Sequence, residues 1–346
     1  MYLSMFGRLV LAAVAVLAAS DEFPSLVPMP GIPDARGRAG MFAGVHAGVL
    51  VAAGGANFPQ RMPWDGGTKV WYDEAFALGP EDSTWRSIGR LPAANAYGVS
   101  LTAPEGVLII GGGDGSRHFA DVWLMSAGGG TAAFRALPPL PVPLAQMAGA
   151  IVGRDVHIVG GIERPDAVAA SEAHYVLGLD EVGAGWRRMA APPAGGRILA
   201  TAAALDGALY VLGGCSLRPG ADGKPTRTYH RDAWRFARGA WTRLPDLPAP
   251  VAAAPSPAPV FGTRLYVVAG DDGHQVNARP SAHTGFTRRI LRYDATAGRW
   301  DTAGDVPHAP AVTLPTAPWQ GGFALVSGEV RPGVRTPRVS LFRPAD

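Results

Sequence analysis

Glu329 and Arg335 stand six residues apart across the stretch Glu329-Val330-Arg331-Pro332-Gly333-Val334-Arg335. The Pro332-Gly333 step inside it favours a type II turn, and a hairpin there brings a carboxylate near a guanidinium. That pairing has two meanings: a structural ion pair that locks the loop, or a general acid/base group beside an anion clamp. Spacing alone favours the first. The chain shows no zinc-ligand spacing, phosphate-binding glycine loop or nucleophile elbow, so no metal and no cofactor is expected.

The elements that must position these residues follow from a repeat. Six β-rich runs end in a small residue followed by glycine: Gly54-Gly55, Gly111-Gly112, Gly160-Gly161, Gly213-Gly214, Ala269-Gly270 and Ser327-Gly328. The second glycine recurs at intervals of 57, 49, 53, 56 and 58 residues. A period near 50 built from short strands predicts an all-β, six-bladed, kelch-type β-propeller. Strand b of each blade is the apolar run before the glycine. Strand a, rich in small residues, precedes it: Met41 to Val45, Ala96 to Leu101, Met147 to Val152, Ile198 to Leu205, Val251 to Val260 and Pro310 to Ala317. Strand c carries aromatics, as in Val70-Trp71-Tyr72 and Val122-Trp123-Leu124. Strand d is marked by Trp85, Phe134, Trp186, Trp241 and Trp300, which are expected to pack between blades.

The last blade runs out of chain after three strands. Residues 22–30 have the character of a strand d followed by proline, so pairing them with the last blade closes the ring and removes an open edge. The expected organisation is a signal peptide over 1–20 and one domain over 21–346. Its blades fall near 36–91, 92–138, 139–191, 192–246, 247–304 and 305–346, the last completed by the amino-terminal strand.

Alternating strand directions put the b/c loops on one face, and several are long: 56–69, 162–171, 215–228 and 271–287. Long loops on a rigid scaffold carry function. They hold Arg61, Lys69, Arg117, His118, Arg164, Arg218, Lys224, Arg227, His274, Arg279, His283, Arg331 and Arg335 against fewer acids, among them Asp65, Glu163, Asp271, Asp272 and Glu329. A locally basic mouth predicts a small anionic ligand. Glu329 directly follows the glycine of its blade, where the other blades place Ala56, Gly113, Ile162, Cys215 and Asp271.

Globally the 31 Lys+Arg nearly balance the 28 Asp+Glu, and no basic run exists to grip a phosphate backbone, so nucleic acid is not an expected partner. Arg8, the apolar run Leu9 to Ala19 and the small residues of Ala18-Ala19-Ser20 read as an export signal. That predicts a periplasmic or, alternatively, a secreted protein with no integral membrane segment once the signal is removed. The single cysteine, Cys215, excludes an intrachain disulfide and is expected to pack at a strand end.

The stretch Gly328-Glu329-Val330-Arg331-Pro332-Gly333-Val334-Arg335-Thr336 resembles the Gly-Glu-x-x-Pro-Gly-x-Arg-Thr motif of the bacterial N-acetylneuraminate epimerases, kelch-type sialic acid mutarotases. Gly40-Met41-Phe42-Ala43-Gly44-Val45, Ala96-Tyr97-Gly98-Val99-Ser100-Leu101 and the loop around Asn57-Phe58-Pro59 and Pro63 to Lys69 agree with it. The blade order differs from that of the enteric-type members, so the chain looks like a cyclically permuted branch. The resemblance implies a cofactor-free isomerase acting on a small acidic sugar, with Glu329 as proton acceptor and Arg335 as its active-site partner facing the sugar carboxylate. It makes Asn57, Arg61, Lys69 and Tyr97 candidate substrate contacts. A non-catalytic sugar- or protein-binding module, or a mutarotase of another acidic or amino sugar, are the alternatives. The Ser-x-Asp boxes of sialidases are absent, and Cys215 lacks the ligand partners of a copper oxidase.

Overall fold

A computed structural model describes residues 24–221 and 223–344. The expected signal peptide, together with Glu22 and Phe23 of the expected amino-terminal strand, lies outside them. Six antiparallel sheets stand around a central axis, each ordered a-b-c-d from the axis outward. Blade one comprises Ala39–His46, Val49–Asn57, Glu74–Leu78 and Arg86–Arg90. Blade two comprises Val99–Ala103, Gly106–Ile110, Val122–Gly128 and Thr131–Leu137, and blade three Ala148–Val152, Asp155–Val159, His174–Gly178 and Arg187–Arg188. Blade four is Thr201–Leu205, Ala208–Leu212, Ala233–Ala237 and Ala240–Leu244. Blade five is Val260–Phe261, Arg264–Gly270, Thr287–Asp294 and Arg299–Asp305. Blade six takes Thr316–Trp319, Gly322–Val326 and Val339–Arg343 from the carboxyl-terminal end.

Ser25–Met29 supplies the fourth strand of blade six, pairing antiparallel with Val339–Arg343 from Ser25 opposite Arg343 to Met29 opposite Val339. The expected closure of the ring is therefore formed. The core lies between blades, because successive residues of a strand point to opposite sheet faces. Met41, Ala43 and Leu50 pack toward Ala317, Trp319 and Ala324 of blade six. Phe42 and Val51 pack toward Val107 and Ile109 of blade two. Four equivalent layers fill the remaining interfaces. The tryptophans lie between blades as expected, each donating its indole N–H to the link that leaves the preceding blade. Trp85 reaches Pro30 O, Trp186 Pro138 O, Trp241 Ala190 O and Trp300 Pro245 O, at 2.8 to 2.9 Å.

The small-then-glycine repeat is a backbone requirement. Its first residue takes φ between 56° and 72° in all six blades, within the left-handed region that Ala269 and Ser327 tolerate. The second takes φ from 88° to 139°, which only glycine adopts without strain. A second left-handed residue recurs at the start of the inner run of each blade, at Gly40, Tyr97, Gln146, Leu199, Ala253 and Thr313. Each of these donates its N–H to the carbonyl of its counterpart in the preceding blade, from Tyr97 to Gly40 round to Gly40 to Thr313, at 2.7 to 2.9 Å. Six backbone hydrogen bonds thus form a closed ring across the axis.

This ring displaces strand a from its expected position. In blade two the left-handed Tyr97 interrupts the small-residue run, so Ala96 makes an isolated bridge to Gly113 and the continuous ladder starts at Val99. In blade five Pro255, Pro257 and Pro259 lack the N–H that a ladder needs, and where a strand over 251–260 was expected the continuous ladder is confined to Val260–Phe261, apart from an isolated bridge between Ala252 and Asp271. In blade one the expected strand c at 70–72 is a two-residue extension, Val70–Trp71, paired with the end of strand b. Tyr72 then turns its ring under the Arg38 guanidinium, 3.8 Å from the ring centre, and the true third strand is Glu74–Leu78.

One buried pair makes stability depend on pH. His174 is fully enclosed, and its Nδ1 lies 3.0 Å from Ala190 O, so Nδ1 must carry the proton and donate. Its Nε2 is then the acceptor for His157 Nδ1–H at 3.1 Å. Burial, with His174 and Arg187 adding to it, pushes His157 down to about 4, and burial lowers His174 as well. As pH falls through 6.5 the unfolded chain binds protons that the folded pair refuses, so this contribution is whole above that value and is lost toward pH 4. His157 alone accounts for roughly 3 kcal/mol by pH 4. Melting temperatures between pH 7.5 and 4.5 should fall less steeply for His157→Leu than for the wild type; parallel curves would contradict the assignment.

Candidate active site

A cavity of about 340 Å³ opens on the b/c-loop face, within the size range of small-ligand sites. Tyr97, Gln146, Leu199, Ala253 and Thr313 of the hydrogen-bonded ring form its floor. Phe58, Lys69, Arg227, Asp271, Phe286, Glu329 and Arg335 reach it from the b/c loops, the face that loop length had indicated. A narrower space of about 70 Å³ continues from the floor along the inner strands.

Glu329 and Arg335 meet as the spacing predicted. Glu329–Arg331 and Val334–Arg335 form a short hairpin with Glu329 opposite Arg335. Arg335 Nη1 donates to Glu329 Oε1 at 2.5 Å, and the Gly333 N–H donates to the same oxygen at 2.6 Å. Glu329 Oε2 makes no hydrogen bond to any described residue. The side chains are 4% and 17% exposed for Arg335 and Glu329, so the pair is shielded from bulk solvent on all but the cavity side. Arg335 Nε also donates to Ala56 O at 3.4 Å, and the guanidinium lies 5.5 Å from the Phe58 ring centre. With Nε and one Nη1 hydrogen committed, Arg335 keeps Nη2 and the second Nη1 hydrogen without a partner among the described residues.

Lys69 is placed as expected. It lines the cavity with its ammonium 5.2 to 5.7 Å from the ring centres of Phe58, Trp71 and Tyr97, and it has no carboxylate partner among the described residues. Aromatic faces hold a cation without neutralising it, so its charge remains available to a ligand. Tyr97 is both floor and wall. Asn57 is not a ligand contact: it is 1% exposed and its amide is already occupied. Its Nδ2 donates to Asp34 Oδ2 and Gly37 O, and its Oδ1 accepts from Tyr72 O–H at 2.8 Å. Arg61 is exposed on the same loop and does not line the cavity.

The opposite wall comes from the blade-four hairpin Cys215–Pro219 with Pro225–Tyr229. Its base is seated by Ile162, Ile198, Cys215, Leu217 and Ala252. Cys215 is fully buried there and burial pushes its thiol up to about 12, the packing role expected of it. Arg227 and Tyr229, two residues apart on one strand, face the cavity side. Tyr229 O–H donates to Asp271 Oδ2 at 2.7 Å, and burial raises the phenol well above its ordinary range. Arg227 and Asp271 were visible in the sequence as mouth charges. Gln146 was not, since only ring closure brings it to the floor. Among the described residues no three metal-ligating side chains cluster, and no helix is long and apolar enough to cross a membrane.

A family model for N-acetylneuraminate epimerase matches residues 18–133. An N-acetylneuraminate epimerase of Haemophilus influenzae (strain 86-028NP) is 26% identical over 226 residues, 58% of this chain and 57% of that protein. One from Yersinia enterocolitica is 28% identical over 58% of this chain and 56% of its own length, and one from Brucella melitensis is 37% identical over 27% and 26%. The match thus spans a little over half the length of the Haemophilus and Yersinia relatives and about a quarter of the Brucella one. The solved structure of YjhT shares the fold with a TM-score of 0.66 at 15% identity, covering 90% of this chain and 96% of that one. The resemblance to the N-acetylneuraminate epimerases that the motifs implied is shown by these matches.

Proposed function

We propose that the chain is a cofactor-free isomerase that interconverts the α and β anomers of N-acetylneuraminate. The carrying observation is a glutamate whose Oε1 is fixed by Arg335 and Gly333 while Oε2 is left to the ligand, in a cavity that also presents an uncompensated Lys69. Anomeric exchange needs a base to take the proton of the anomeric hydroxyl and an acid to protonate the ring oxygen as the C–O bond breaks. The exposed carbonyl then turns over its face and the ring recloses. Glu329 Oε2 serves as the base, a role worth about 10² to 10⁴ in rate. Lys69 attracts the sugar carboxylate, and Arg335 holds Glu329 in place.

Proton NMR of the freshly dissolved α anomer tests the reading. The protein should speed its equilibration with β, and an unaltered spontaneous rate would remove the sialic acid assignment. Arg335→Lys keeps a cation but loses the planar donor set that spans Glu329 and Ala56 O. It is expected to lower kcat roughly 10-fold, with a melting temperature close to wild type. An unchanged kcat would mean that Arg335 does not position Glu329.

We infer that the protein works in the periplasm, on the strength of the amino-terminal pattern over residues 1–20. Amino-terminal sequencing of exported protein should begin at Asp21; a start at Met1 would contradict export by cleavage.

A further inference from the structure

Two acceptors in the cavity are not used by the anomeric chemistry. Asp271 is the positional counterpart of Glu329 one blade earlier. Each follows the second glycine of its repeat and exchanges a pair of backbone hydrogen bonds with the residue just before the floor, Ala252 for Asp271 and Val312 for Glu329, at 2.8 to 2.9 Å. The two carboxylates therefore stand at the same level around the axis, on adjacent blades. Unlike Glu329, Asp271 has no ion pair among the described residues. It is nonetheless held in orientation, because Oδ2 accepts from Tyr229 O–H at 2.7 Å and Oδ1 from the Gly273 N–H at 2.9 Å. Each carboxylate oxygen has capacity for a further donor. Gln146 is the second acceptor: its Oε1 is buried without a partner at the floor of the same cavity.

The charges facing the cavity are Lys69, Arg227 and Arg335 against Glu329 and Asp271, three against two, leaving one net positive charge. That suits a monoanion, but not in every orientation. A ligand carboxylate set against Asp271 or Gln146 Oε1 would oppose acceptor to acceptor, leaving both without a proton between them. Hydroxyl and amide N–H groups would satisfy the same atoms.

We propose that Asp271 and Gln146 are specificity-determining residues that receive the O–H and N–H donors of the sugar, so that its acid and anomeric centre lies toward Glu329 and Lys69. This rests on the mutarotase reading. It deepens it by defining the substrate class as a monoanionic sugar acid whose remote edge is rich in donors. Tyr229 is the positioning residue that aims Asp271.

The test combines anomer-exchange kinetics by NMR with calorimetric binding of N-acetylneuraminate to wild type, Asp271→Ala, Asp271→Asn and Gln146→Leu. Asp271→Ala is expected to raise both KM and Kd roughly 10- to 100-fold, the worth of hydrogen bonds to a charged acceptor, with kcat within about 3-fold of wild type. Asp271→Asn, which preserves the volume and one carbonyl acceptor, should fold normally and fall between. Gln146→Leu should raise KM several-fold, again with kcat little altered. Wild-type affinity in both Asp271 variants overturns the proposal while leaving the mutarotase reading intact. A loss of kcat at unchanged KM also overturns it and makes Asp271 a proton-transfer group. A wild type that neither binds N-acetylneuraminate nor speeds its mutarotation removes the functional reading, and this proposal with it.

Discussion

Glu329→Gln is expected to lower kcat for anomer exchange by about 10²- to 10⁴-fold, the usual contribution of a positioned proton acceptor. The substitution is nearly isosteric, and the amide oxygen can still accept from Arg335 and the Gly333 N–H, so KM should move little. What disappears is the basic oxygen that faces the cavity. Stability should also fall, by about 2 kcal/mol, because an almost fully buried guanidinium loses its counter-charge while keeping a hydrogen bond. Exchange rates from NMR and a thermal melt of the same sample separate the two effects. An unchanged kcat with a lowered melting temperature would return the pair to the structural meaning that spacing alone had favoured.

The second large effect concerns the ring. Removing residues 1–30 should lower the melting temperature by about 10 °C and promote association between copies. Ser25–Met29 covers the full outer edge of Val339–Arg343, and its loss bares that edge as a template for another strand. Met29 packs on the core between blades six and one, Leu26 on the core between blades five and six, and Pro30 O receives the Trp85 indole N–H. Together these contacts are worth roughly 3 to 5 kcal/mol. Scanning calorimetry and size-exclusion chromatography check the prediction, and a truncated chain that stays monomeric with the wild-type melting temperature would refute it.

What could be read in advance divides along physical lines. The propeller was legible because two backbone positions per blade demand a small residue and a glycine, and such demands are written directly in residue type. The Glu329–Arg335 pair was legible because its hairpin is local. Asn57 was misread because its three partners, Asp34, Gly37 and Tyr72, are fixed by tertiary packing that leaves no local mark. The commitment of Arg335 to Ala56 O crosses from blade six to blade one, and spacing carries no trace of it. The start of each strand a was obscured for a related reason. The apolar run continues through the left-handed floor residue, so composition does not change where pairing begins.

The pairing of Ser25–Met29 with Val339–Arg343 also orders events in time. Among the described strands, the earliest in sequence has as its partner the latest. Blades one to five each contain all four of their strands in sequence and can pair as they emerge, but blade six waits until Val339–Arg343 has been made. Until then the outer strand has no seat and the floor lacks its final bonds, from Thr313 to Ala253 and from Gly40 to Thr313. Closure is therefore a late, long-range step that should set the overall folding rate, since contacts of high sequence separation form slowly. The cavity, whose floor and Glu329 both depend on blade six, comes into being only at that step.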